Sequence, residues 1–88
     1  MIRRRVVVHG RVQGVFFRDS ARRLAQQRGV AGWIANRWDG TVEAVFEGDE
    51  EAVQGLVRFV HEGPRGAEVD RVETFDEEPE ALVGFSVR

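Results

Sequence analysis

A two-layer α+β sandwich, two helices on one face of a mostly antiparallel sheet, is the fold class this sequence predicts. Three observations predict it. Apolar residues recur at helical spacing in two separate segments, Arg18 to Arg28 and the stretch after Asp49. Valine-rich or alternating runs flank both, and two of those runs meet at Asp39-Gly40, a strong hairpin signal. The chain has 88 residues, enough for one domain, 1–88, and too few for two.

Taken in order, Arg5 to His9 reads as a strand whose three consecutive valines indicate burial on both faces and a central place in the sheet. A glycine-bearing loop follows. From Arg18 to Arg28 the pattern is helical: Ala21, Leu24 and Ala25 continue a stripe from Phe17, Asp19 and Ser20 suit a helix start, and Gly29 is a natural stop. Val30 to Asn36 forms a second strand. Thr41 to Gly48 pairs back on it with Val42, Ala44 and Phe46 on the core face and Glu43 and Glu47 on the face leaning toward water. Asp49 caps a second helix, along which Val53, Leu56, Val57 and Val60 fall at i, i+3, i+4 and i+7, and Gly63-Pro64 ends it. Ala67 to Phe75 is a weaker strand, Asp76 to Pro79 an acidic loop, and Val83, Phe85 and Val87 alternate into a last short strand. That order, βαββαβ with one further short strand possible, is the ferredoxin-like arrangement.

Composition bounds the function. Hydrophobic residues are 42% and charged residues 32%, and 13 basic against 15 acidic residues give a net charge of −2. Nothing global therefore attracts nucleic acid or an anionic membrane. The absence of cysteine excludes a disulfide framework, a thiol nucleophile and cysteine-ligated metal. Arg3-Arg4-Arg5 before a valine run has the start of a secretory signal, but the apolar segment stops at His9, short of the roughly 7–15 residues such a signal needs. A cytoplasmic monomer that meets neither membrane nor nucleic acid is expected.

The chemistry concentrates in Gly10-Arg11-Val12-Gln13-Gly14-Val15-Phe16-Phe17-Arg18. A glycine loop between a strand and a helix start can turn several N–H groups toward one anion, and Arg18 adds a planar charged fork. In the predicted topology the first and second strands run parallel with the third between them, so their C-terminal ends share one sheet edge. Asn36 closes the second strand there, which makes Arg18 and Asn36 candidates for one pocket. No histidine pair is evident, and no Asp or Glu lies in the loop. A hydrolase so equipped needs an easy leaving group, and acyl phosphates meet that need because the departing carboxylate is a weak base.

The nine-residue run from Gly10 to Arg18 resembles the phosphate-binding signature of acylphosphatases, and Gly32-Trp33-Ile34-Ala35-Asn36-Arg37-Trp38-Asp39-Gly40-Thr41-Val42-Glu43 resembles their second signature. Gly63-Pro64-Arg65-Gly66-Ala67 and Phe85-Ser86-Val87-Arg88 extend the likeness over almost the whole chain. The resemblance implies a hydrolase without metal or cofactor that cleaves a small acyl phosphate to a carboxylate and inorganic phosphate. It implies that Arg18 binds the phosphate, that Asn36 orients the attacking water, and that main-chain amides of Gln13, Gly14, Val15, Phe16 and Phe17 hold the phosphoryl oxygens. With Arg88 the last residue, its terminal carboxylate is expected near the site.

Plainer readings stand beside these. Phe16 and Phe17 read as core or loop-anchoring aromatics, Trp33 as a packed strand residue, His9 as structural, and Asp76 to Glu80 as a solvated loop. Trp38 at a hairpin tip is either simply exposed or borders the pocket mouth. An RNA-binding or ligand-sensing module is the competing class for this fold, disfavoured by the negative charge and by strands lacking an aromatic-plus-basic array.

Overall fold

The computed structural model describes Met1–Arg88. Seven elements follow one another: β1 (Ile2–Arg11), α1 (Phe17–Arg28), β2 (Ala31–Asn36), β3 (Val42–Gly48), α2 (Glu50–Glu62), β4 (Glu68–Glu77) and β5 (Phe85–Val87). They build one five-stranded sheet in the order β4-β1-β3-β2-β5. Every pairing is antiparallel except that of β2 with β5. Because β1 and β2 both run antiparallel to β3, they are parallel to each other, as the hairpin and the helical crossover require.

Both helices face one core. Phe17, Ala21 and Ala25 of α1 and Val53, Leu56 and Val60 of α2 meet Val6, Val8, Ile34, Val42, Ala44 and Phe46 from the sheet in a single buried cluster. The spacing predicted these stripes. Each fully buried Val, Leu, Ile or Phe side chain contributes about 1.5–3 kcal/mol, and this cluster is where the helices obtain their stability. Phe17 also meets Phe59 across the two helices at 6.0 Å between centroids.

The strand ends differ from the sequence reading, and for a common reason. β1 begins at Ile2 rather than Arg5, and β4 continues to Glu77, through residues expected in an acidic loop. The register sets Arg3 opposite Glu77 and Arg4 opposite Asp76. Arg3 Nε and Arg5 Nε donate to the two oxygens of Glu77 at 2.9 and 2.8 Å, and Arg4 pairs with Asp76 at 3.0 Å. Two segments whose charges read separately as solvated thus zip together. Toward the other end of β1 the register slips between His9 and Gly10. A Cβ on Gly10 would stand 2.2 Å from the carbonyl oxygen of Glu68, so only glycine allows this bulge.

Glu47 departs furthest from expectation: it is 1% exposed rather than facing water. Its carboxylate accepts the N–H groups of Glu80 and Leu82 at 2.8 and 2.7 Å and a guanidinium bond from Arg3 at 3.4 Å. The segment linking β4 to β5 is thereby strapped down beside β3. Burial alone would raise the Glu47 pKa, but these donors outweigh it and hold the carboxyl below its ordinary range. The strap delivers β5 to its place beside β2. The valine run is likewise only partly as read, since Val6 and Val8 are buried and Val7, on the helix-free face, is half-buried.

Candidate active site

At the end of β1 the chain leaves the sheet through residues 12–16 and enters α1 at Phe17. Gly14 (φ +74°) and Phe16 (φ +62°) both adopt left-handed backbone, which curls the loop back on itself. The N–H groups of Gln13, Gly14, Val15 and Phe16 donate to no main-chain turn or loop acceptor, and no side chain accepts from them. At the first residue of α1 the N–H of Phe17 is open by helix geometry as well. Donors facing away from secondary structure beside a helix N-terminus favour an anion.

The helix start differs from the reading at Asp19 and Ser20. Phe16 occupies the N-cap with no side-chain bond, and the first turn closes when the Ser20 N–H donates to the Phe16 carbonyl at 3.0 Å. Asp19 turns instead to Arg22 at 2.6 Å and Arg23 at 3.3 Å. The Arg22 hydrogen bond, with both guanidinium charges adding to it, holds the Asp19 carboxyl below its ordinary value of 3.8. An acid so placed is ionised near neutrality and has no proton to give.

Val12, Gly14, Phe16, Arg18, Asn36 and Val87 are among the residues lining an open cleft of about 460 Å³. Arg18 and Asn36, brought from the start of α1 and the end of β2, therefore line one cleft as the parallel strands predict. Arg18 Nη1 donates to the main-chain oxygen of Arg88 at 3.1 Å, which presets the guanidinium. Arg88 is itself fixed: its N–H donates to the Ile34 carbonyl at 2.8 Å, and its guanidinium lies 4.6 Å over the Trp33 ring.

Gln13 does more than its backbone implied. Its side-chain nitrogen donates to the carbonyls of Arg37 at 2.7 Å and Thr41 at 2.9 Å. Two carbonyl acceptors admit only the NH₂ end of the amide, so its orientation is dictated. This clamp joins the loop to the mouth of the β2–β3 hairpin, where the Arg37 N–H donates to the Thr41 carbonyl at 2.8 Å. Arg37 also pairs with Glu43. Asn36 is the residue next to the clamp.

Several side chains depart from their plain readings. Phe17 is core, but Phe16 is 80% exposed on the cleft and neither core nor anchor. Trp38 projects from the hairpin tip 94% exposed and takes no part in lining the cleft. His9 contacts Glu73 at 2.7 Å, away from the cleft. Sequence reasoning missed Asp19 and Arg22 as cleft residues, although their i, i+3 spacing could have paired them. It had no signal for Val87, which reaches the cleft only through the pairing of β5 with β2.

Fold and cleft together define a small α+β sandwich with an open cleft, lined by Arg18 and Asn36, at the C-terminal edge of two parallel strands. The family model described as Acylphosphatase matches residues 4–87, and the chain belongs to that family. An acylphosphatase of Rubrobacter xylanophilus is 58% identical over 86 residues, covering 96% of this chain and 77% of that one. One of Thermococcus kodakarensis is 54% identical, covering 98% and 94%. The crystal structure of acylphosphatase from Bacillus subtilis is similar with a TM-score of 0.95 and 38% identity, over 100% of this chain and 99% of that one. No helix is long and apolar enough to cross a membrane.

Proposed function

We propose that this protein hydrolyses a small acyl phosphate to a carboxylate and inorganic phosphate, using side chains and main-chain amides alone. The observation that supports the reading is that Gly14, Phe16, Phe17, Arg18 and Asn36 line one cleft, beside a loop whose N–H groups have no acceptor within the protein. Amides of Gln13 to Phe17 hold two phosphoryl oxygens, and the Arg18 fork neutralises charge on the third while donating to it. Asn36, whose amide both donates and accepts, holds water against the phosphorus. The water oxygen bonds to phosphorus as the phosphorus–acyl oxygen bond breaks. The electron pair leaves with the carboxylate, and the water's proton passes to a phosphoryl oxygen. Because that leaving group needs no proton, the ionised state of Asp19 is no obstacle. The reaction is carried by positioning and charge.

The direct test is phosphate release from acetyl and benzoyl phosphate in excess chelator. Turnover well above background supports the reading. Background rates, or turnover that appears only on adding metal, overturn it.

A further inference from the structure

The segment between β4 and β5, residues 78–84, has little to hold it in place. All of it is exposed except Leu82, which is half-buried. Ala81 at its centre adopts left-handed backbone (φ +57°), which a residue with a Cβ does at a conformational cost. With Ala81 so turned, the N–H groups on either side of it, Glu80 and Leu82, both reach the buried carboxylate of Glu47, at 2.8 and 2.7 Å. The other ion pair to this segment, from Arg3 to Glu80, is longer at 3.7 Å.

Glu47 lies near the end of β3, opposite Ala31 where β2 begins, whereas Val42 at the other end of β3 faces Asn36. Five residues of strand, about 17 Å, therefore separate this latch from the cleft. β5 runs from the latch end toward the cleft end. The Gly84 carbonyl accepts the Gly32 N–H at 2.9 Å, Phe85 to Val87 pair with Gly32 to Ile34, and the Arg88 N–H donates to the Ile34 carbonyl at 2.8 Å. The main-chain oxygen of Arg88 then accepts Arg18 Nη1 at 3.1 Å. A three-residue parallel edge strand with one buried side chain, Phe85, is a short anchorage for that last contact.

We infer that Glu47 is a positioning residue for Arg18. By latching the strap it fixes where β5 starts, and β5 with Arg88 fixes the guanidinium at the cleft. The inference rests on Arg18 as the phosphate ligand of the acyl phosphate reading above. That reading stands or falls on wild-type turnover, whereas this one depends on what loosening the strap does to phosphate affinity.

Two variants loosen the strap from opposite sides. Glu47→Gln keeps the shape of the side chain but sets an NH₂ group where the carboxylate accepts a main-chain N–H. Ala81→Val leaves Glu47 intact and puts a β-branched residue into left-handed backbone, at an exposed position where no core contact changes. On protein shown to be folded by near-ultraviolet circular dichroism, inorganic phosphate should inhibit benzoyl phosphate hydrolysis about three- to tenfold more weakly in each variant, the range over which residues remote from a site modulate it. An inhibition constant within about twofold of wild type in either variant overturns the inference. A double-mutant cycle separates positioning from general loosening. Glu47→Gln should lower kcat/KM for benzoyl phosphate where Arg18 is present and change it by less than about twofold in an Arg18→Ala background, where the group it positions is gone. Equal falls in the two backgrounds refute the assignment.

Discussion

Gln13→Ala separates positioning from binding in this cleft. The substitution removes two side-chain bonds, to the carbonyls of Arg37 and Thr41, each contributing about 0.5–1.5 kcal/mol net. Neither carbonyl is orphaned, because the Gly40 N–H still donates to Arg37 at 3.1 Å and the Arg37 N–H to Thr41. The stability loss should therefore be about 1 kcal/mol, the low end of the roughly 1–3 kcal/mol that two such bonds amount to. In a domain of this size it lowers Tm by about 4–8 °C. Activity should suffer more. Without the clamp the hairpin mouth can shift against the phosphate loop, and small misplacements of a water-holding group are expensive in rate. We expect kcat for benzoyl phosphate to fall about tenfold or more, with the inhibition constant of inorganic phosphate within about twofold of wild type. Phosphate release and thermal melts, with phosphate as competitor, measure all three quantities. Unchanged kcat with a lowered Tm would show that the clamp serves only the fold. Equal losses of kcat and phosphate affinity would show that it shapes the cradle rather than the Asn36 wall.

Arg18→Ala should weaken phosphate binding and lower rate together, because charge-assisted bonds of about 1.5–3 kcal/mol each are lost; calorimetry with phosphate and steady-state kinetics check this, and retained phosphate affinity refutes it. Asn36→Ala should lower kcat about a hundredfold or more with phosphate affinity mostly kept, and parallel losses would reassign Asn36 to the cradle. Asp19→Asn removes a negative charge from the cleft and frees Arg22, so phosphate should inhibit a few-fold more strongly at low salt, an effect that salt suppresses. Glu47→Ala strands the N–H groups of Glu80 and Leu82 under the strap and should cost about 2–4 kcal/mol in denaturant unfolding. Glu47 and Glu77 both hold carboxyls below their ordinary value of 4.5, Glu77 chiefly through its hydrogen bonds to Arg5 and Arg3. The folded state then binds fewer protons than the unfolded one. Their contribution is complete above about pH 4.5 and lost as pH falls below it, so wild type should lose stability on acidification through that window and Glu47→Ala should lose less.

Local chemistry made much of this protein legible. Periodicity identified Ala21 and Ala25, and Val53, Leu56 and Val60, because a helix must bury one stripe whatever its neighbours are. Asp39-Gly40 set the hairpin, and Gly14 with the following arginine marked the loop. The parallel relation of β1 and β2 followed from connection lengths, which sufficed to bring Arg18 and Asn36 to one edge. The strand ends were less legible. Arg3 to Arg5 and Asp76 to Glu77 look solvated when read separately, since the sequence does not say which strand lies beside which.

By itself, the sequence determined the element types, the hairpin, the core stripes and the pairing of a glycine loop with Asn36, all of which depend on neighbours in the chain or on short connections. The tertiary structure alone decided what Glu47 does, because burial and the Glu80 and Leu82 donors come from a segment more than thirty residues away. It also decided that Gln13 clamps the hairpin, that Arg88 presets Arg18, and that Phe16 faces the cleft instead of the core. Those outcomes depend on backbone direction and on strand neighbours, which side-chain patterns along the chain do not encode.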